Sequence, residues 1–159
     1  MKLFIIFTII SIMFFSCTRE SAQNTHTKAT FINKSNHLIK ILFYKSGFVY
    51  SSDTIKLSLN DSLLFAEGNI KGLRNAPGFI SKYAGGPDDS VIVIFDNLYK
   101  VSHYANEPIQ KAAKYYLNSS LRNVVNPNSY RFVSTDFGND SRLNEHFYTF
   151  SEQDYLDAR

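Results

Sequence analysis

Thr54-Ile55-Lys56-Leu57-Ser58-Leu59 alternates polar and apolar residues without a break; Asn60-Asp61-Ser62 interrupts it, and Leu63-Leu64-Phe65-Ala66-Glu67 resumes an apolar run. Successive side chains of an extended chain point to opposite faces, so alternation with period two marks a strand with one buried face. Ile55, Leu57 and Leu59 are expected inward, and Thr54, Lys56 and Ser58 outward. Asn-Asp-Ser between two such runs is turn chemistry, so the pair reads as a β-hairpin.

The same reading extends outward along the chain. Thr30 to Asn33 is a short strand, and Leu38 to Tyr44 is a central one, with Ile39, Ile41 and Phe43 sharing a face. Val91 to Phe95 is apolar throughout and reads as a strand buried on both sides. Asp96-Asn97 turns it into Leu98 to Tyr104, and Tyr130 to Ser134 and His146 to Phe150 complete the set. Seven or eight short antiparallel strands with turns between them predict an all-β domain, a small β-sandwich of Ig-like general architecture. Pro108 to Leu117 lacks strand alternation, and a short helix near 109–117 is expected, with Ile109, Ala112, Ala113 and Tyr116 on one side. Ser151 followed by Asp154 resembles a capping box, so a C-terminal helical turn is expected over 152–158.

Gly68 to Asp89 holds five of the seven glycines and two of the four prolines. A loop of this length in a compact domain is usually functional, and Gly72, Phe79, Tyr83 and Asp88 are its candidate contact residues. The chain has 10 Tyr and 14 Phe, no Trp and one Cys. Aromatic and β-branched residues favour strands. Without the first 16 residues, 16 basic residues face 14 acidic ones, a net of +2. That balance argues against a nucleic-acid partner, which calls for clustered positive charge.

The single cysteine, Cys17, follows Met1-Lys2, an apolar run from Leu3 to Phe15, and Ser16. A mostly apolar run of thirteen residues, with Thr8 and Ser11 inside it, is too short to span a bilayer, which needs about 20, and it fits a secretory signal. Phe14-Phe15-Ser16-Cys17 resembles a lipobox of the looser kind that ends in Ser-Cys, although Phe14 and Phe15 depart from the strict pattern. The resemblance implies a signal peptide over 1–16, lipidation of Cys17 and attachment to the bacterial envelope, with the outer membrane the expected site and the face open. An ordinary cleaved signal or an uncleaved anchor is the alternative. Residues 17–28 are then a lipidated cysteine and flexible tether, and 29–159 a single domain. With its cysteine used for lipid, such a domain has no intramolecular disulfide.

Three further segments, Asp89-Ser90-Val91-Ile92-Val93-Ile94-Phe95-Asp96, Arg122-Asn123-Val124-Val125-Asn126-Pro127-Asn128-Ser129-Tyr130 and Tyr148-Thr149-Phe150-Ser151-Glu152-Gln153-Asp154-Tyr155, together resemble a group of small lipoproteins of Bacteroidetes. The resemblance implies the compartment and a sandwich fold, and no catalytic residues. Bacteria of that group attach O-glycans at Asp, then Ser or Thr, then an apolar residue. Asp53-Thr54-Ile55, Asp61-Ser62-Leu63 and Asp89-Ser90-Val91 fit, which makes Thr54, Ser62 and Ser90 candidate sites. Turn residues ahead of strands account for the same pattern.

Candidate chemistry is sparse. His26, His37, His103 and His146 show no metal-ligand spacing. Asp88, Asp89, Asp96 and Asn97 flank one strand and lie too far apart for one calcium ion. There is no nucleophile elbow and no phosphate-cradling glycine motif. Tyr115-Tyr116 is a possible sugar platform or plain core, and Lys111, Lys114 and Arg122 a possible basic face. No metal, cofactor or catalytic residue is assigned. The expected function is a non-enzymatic binding or structural module contacting an envelope protein or glycan; the alternative is a small envelope hydrolase acting on glycans.

Overall fold

A computed structural model describes residues 24–45, 48–49, 54–71, 89–138 and 141–159. Ten strands form two sheets that enclose one core. The first sheet has the order β5 (Ser62–Lys71), β1 (Asn24–Asn33), β10 (Ser141–Phe150), β9 (Arg131–Gly138). The second has the order β3 (Phe48–Val49), β2 (Ile39–Lys45), β6 (Ser90–Phe95), β7 (Tyr99–Tyr104), β8 (Tyr115–Tyr116), with β4 (Ile55–Leu57) also pairing β2. The helix α1 (Glu152–Ala158) follows β10. The all-β sandwich expected from the alternation is the fold observed.

The core forms where the two inner faces meet. β2 contributes Ile39, Ile41 and Phe43, and β6 contributes Val91, Val93 and Phe95, all buried. Opposite them lie Phe31, Tyr148 and Phe150; Phe31 stacks on Phe65 with ring centroids 3.8 Å apart. Each such side chain stabilises the fold by about 1.5–3 kcal/mol on burial. Between β6 and β7 the turn Phe95 to Leu98 closes with Leu98 N–H donating to the Phe95 carbonyl at 2.9 Å. Asp96 and Asn97 hold φ of 52° and 59°. Positive φ at both central positions is the hand that matches strand twist, and Asp and Asn tolerate it better than most residues.

Several expectations are corrected. Thr54 to Leu59 and Leu63 to Glu67 do not form a hairpin. β4 pairs β2, with Ile39 opposite Leu57 and Lys40 opposite Lys56, while β5 pairs β1 in the other sheet. The turn itself is real: Asp61 N–H donates to the Ser58 carbonyl at 3.2 Å, and Asn60 has φ 58°. It carries the chain from one sheet to the other, and Leu59 is consequently exposed. Among the described residues the strands number ten rather than seven or eight, and they are not all antiparallel. β1 enters between β5 and β10 and runs parallel to β10; β8 runs parallel to β7.

The helix near 109–117 is absent. That segment is irregular chain with bends that ends in the short strand β8, is tied to β7 by Ser102 N–H donating to the Lys114 carbonyl at 3.0 Å, and leaves Ile109 exposed. Four apolar residues in so short a stretch fall well below what a helix needs to stand alone. The tether over 17–28 is too long as drawn, because Asn24 to Lys28 already belong to β1. β5 likewise runs on to Lys71, so Gly68 to Lys71 belong to a strand and not to the expected loop, and residues 72–88 lie outside the described residues. The helical turn over 152–158 is α1, and the Asp154 carboxylate reaches back to the Ser151 N–H at 2.7 Å as a capping box does.

Candidate functional site

One end of the sandwich gathers the end of β1, the start of β2, the β6–β7 turn and α1. Asn33 is fully buried there. Its amide donates to the His37 and Ser58 carbonyls at 2.8 and 2.9 Å and its Oδ1 accepts from the Ser35 N–H and hydroxyl, which ties three segments together. His37 lies between two carboxylates, with Nδ1 2.6 Å from Asp96 Oδ2 and Nε2 3.1 Å from Glu152 Oε1. Its ring stacks on Tyr155 with centroids 3.5 Å apart. Burial opposes charge on His37, but the hydrogen bonds to Asp96 and Glu152 overcome it and its pKa is raised. The same contact lowers Asp96, and the Asn36 N–H followed by His37 lowers Glu152.

This arrangement is a latch and not a catalytic dyad. Both ring nitrogens are committed to carboxylates, so neither is free to take a proton from a nucleophile. The hydroxyl of Ser35, two residues away, donates to Asn33 Oδ1 instead. The two carboxylates approach the ring from different nitrogens. Among the described residues no group of three His, Cys, Asp or Glu could hold a metal ion.

A second network fixes α1 from its other side. Arg122 pairs with Asp154 at 3.2 Å and Asp157 at 3.9 Å, and the Tyr116 hydroxyl donates to Asp157 at 2.5 Å. Burial, then Asp157, raises the Tyr116 pKa. Tyr148 donates to the Arg122 carbonyl at 2.7 Å, and Tyr130 to the Val124 carbonyl at 2.7 Å. Asn123 is completely buried; its amide reaches the Tyr104 carbonyl at 2.8 Å and its Oδ1 accepts the Val125 N–H at 2.9 Å. The asparagines and tyrosines of Arg122 to Tyr130 and of Tyr148 to Tyr155 therefore serve architecture. They leave no basic face at Lys111, Lys114 and Arg122, because Lys111 also pairs with Glu107 at 2.6 Å. Tyr115 is partly exposed under the Lys111 ammonium, whereas Tyr116 packs against the core.

The remaining histidines divide into one at the surface and two inside. His26 faces Asn69 at 2.8 Å. His103 is buried, and its Nδ1 accepts the Val124 N–H at 3.1 Å, which leaves the proton on Nε2 without a partner. Burial pushes its pKa down to about 3, so it is neutral. His146 is also lowered by burial. It lies on the inner face of the first sheet with Thr25 and Thr27, and its Nε2 and both threonine hydroxyls lack partners.

Charge is left unbalanced in one place on the outer face of the second sheet. Lys40 and Lys56 are directly opposed across β2 and β4, and Leu38 and Ser58 stand two residues further along the same face. Lys100 belongs to the same row, since Lys40 and Lys100 both pair with Ile94 of β6. None of the three lysines forms an ion pair among the described residues. A hollow of about 230 Å³ lies over these rows, lined by Leu38, Ile39, Lys40, Lys56, Leu57, Ser58 and Asn97. Leu38 is 50% exposed and Leu98 is 69% exposed beside it. Sequence reading placed Lys56 outward, but it could not show it facing Lys40, because it gave β4 the wrong partner.

The expected site residues are scattered. Cys17 and the contact residues Gly72, Phe79, Tyr83 and Asp88 lie outside the described residues. Thr54 is half-buried, Ser62 is exposed at the start of β5, and Ser90 is only 7% exposed inside the central strand β6. The fold therefore leaves Ser62 open to modification and covers Ser90. Among the described residues no helix is long and apolar enough to cross a membrane. No protein-family model matches the chain, and neither a curated protein nor a solved structure does so.

Proposed function

We propose that this chain is a lipid-anchored binding module of the bacterial envelope, non-catalytic, held by Cys17 and contacting a protein or glycan through its domain. The observation that carries the reading is the row of unpaired lysines beside exposed leucines, on a molecule whose other clustered charges are internally matched. Charge and apolar surface left open together mark a contact surface. The leader ending in Ser16-Cys17 supports the anchor, since two or more acyl chains hold a protein on a membrane stably. Thr54 and Ser62 remain the modification sites consistent with their exposure.

Two measurements test this reading. Cys17→Ala should move the protein out of the membrane fraction or leave its leader attached, and an unchanged mass and fractionation would refute the anchor. A tagged chain, solubilised from the envelope in mild detergent, should retain a stoichiometric partner through washing. Recovery of the chain alone would count against the binding module.

A further inference from the structure

The lysine row poses a physical problem that a partner would solve. Like charges directly opposite on a sheet destabilise it by up to about 1 kcal/mol. Lys40 and Lys56 occupy such a pair with no acid between them. Lys100 adds a third ammonium two strands from Lys40, about 10 Å away at the usual strand spacing. Several other cations do have acidic partners: Arg122 has Asp154, Arg142 has Asp136, Lys111 has Glu107, and His37 has Asp96 and Glu152.

The size of the hollow limits its occupant. About 230 Å³ is below the 300–1,000 Å³ typical of sites that take cofactors or metabolites, so it suits a single side chain. Its lining is aliphatic at the exposed Leu38, backbone over the inward-facing Ile39 and Leu57, and polar at Ser58 and Asn97, with Lys40 and Lys56 beside it. An aliphatic stem ending in a carboxylate fits that lining. Leu38, Leu59 and Leu98 are exposed around the same end. A sugar would call for an aromatic platform, but the nearby Tyr99 and Tyr155 rings pack against the core; leucines call for apolar side chains.

Direction separates this surface from the chain's own membrane. β1 runs ten residues from Asn24 to Asn33, about 30 Å in extended form. Asn33 is bonded to His37 and Ser58 at the leucine end. An anchor joined ahead of Asn24 therefore attaches at the opposite end of the strand.

We propose that the hollow between β2 and β4 is the docking site for an acidic segment of a partner protein, with a glutamate-type side chain seated between Lys40 and Lys56 and apolar neighbours against Leu38, Leu59 and Leu98. The proposal rests on the reading of the chain as a binding module and specifies which surface binds and what chemistry it meets. The probe is a fluorescein-labelled hexapeptide alternating glutamate and leucine, followed by fluorescence anisotropy on the full detergent-solubilised chain. Lys56→Glu should weaken binding at least tenfold, and Lys40→Glu/Lys56→Glu should abolish it. Lys45→Glu, an equal charge change at the other end of β2, should leave binding unchanged. Thermal unfolding of each variant confirms that it is folded.

Equal binding by wild type and the double variant overturns the proposal, as does equal weakening by Lys45→Glu, which would mean net charge alone. Tighter, lysine-dependent binding of polygalacturonate or of phosphatidylglycerol vesicles overturns the assignment to a protein partner. If an envelope partner is still captured equally by wild type and the double variant, this surface is removed and the binding module stands. Capture by neither removes both.

Discussion

His37 and Leu38 are consecutive, as are Asp96 and Asn97, yet the two pairs border opposite kinds of surface. On one side, His37, Asp96 and Glu152 close on one another, and Arg122, Asp154 and Asp157 do the same across α1. On the other, Leu38 and Asn97 flank a hollow under two unpaired lysines. Matched charges fix the position of an element. Unmatched charges add nothing to the fold, and on the proposed reading they are the ones that meet a partner. The lesson is that the histidine flanked by carboxylates, the feature most like an active site, is structural.

Substitutions on the two sides should therefore differ in kind. The largest stability loss is expected at Asn123→Ala, which strands the Tyr104 carbonyl and the Val125 N–H inside the core. At about 1–3 kcal/mol for a group left unsatisfied, the loss should reach about 3 kcal/mol in urea unfolding. Asp154→Ala follows at about 2 kcal/mol, because it removes the acceptor for the Ser151 amide and the partner of Arg122. A loss under 0.5 kcal/mol at either position would break the comparison from the structural side.

The latch should show in the pH dependence of stability. His37 has a folded pKa above its ordinary 6.5, so its contribution is full below 6.5 and is lost as pH rises through the folded value. Asp96 and Glu152 are held below their ordinary 3.8 and 4.5, so theirs is lost as pH falls through the lowered values. The difference between wild type and His37→Asn should peak at about pH 4.5–6.5 and shrink toward pH 8. A difference that grows with rising pH contradicts the latch. The smallest effect is expected at Lys40→Ala, within about 0.5 kcal/mol of wild type and toward stabilisation, since it relieves a like-charge pair.

The fold was legible wherever alternation alone decides it. Ile39, Ile41 and Phe43 share one face as read, because facing follows from period two, and that face is the buried one. Pairing does not follow from it. Asn60-Asp61-Ser62 has the same turn chemistry whether the chain returns along its own sheet or crosses to the other, so the hairpin was misread with its turn correctly placed. Asn24 to Lys28 read as tether because β1 buries Thr25 and Thr27 there in place of apolar residues. The site was less legible still. His37, Asp96 and Glu152 meet across 59 and 115 residues, and no local pattern announces such a contact. Lys56 was visible as an outward lysine and Lys40 was not, and only the β2–β4 register makes them a pair.

The most direct test of the contrast is to map backbone amide shifts on the folded chain as the glutamate–leucine hexapeptide is added. The account predicts shifts concentrated at Leu38 to Lys40, Lys56 to Ser58 and Asn97, with Arg122, Asp154 and Tyr155 unmoved. Shifts centred on α1, or spread over every lysine alike, would contradict it.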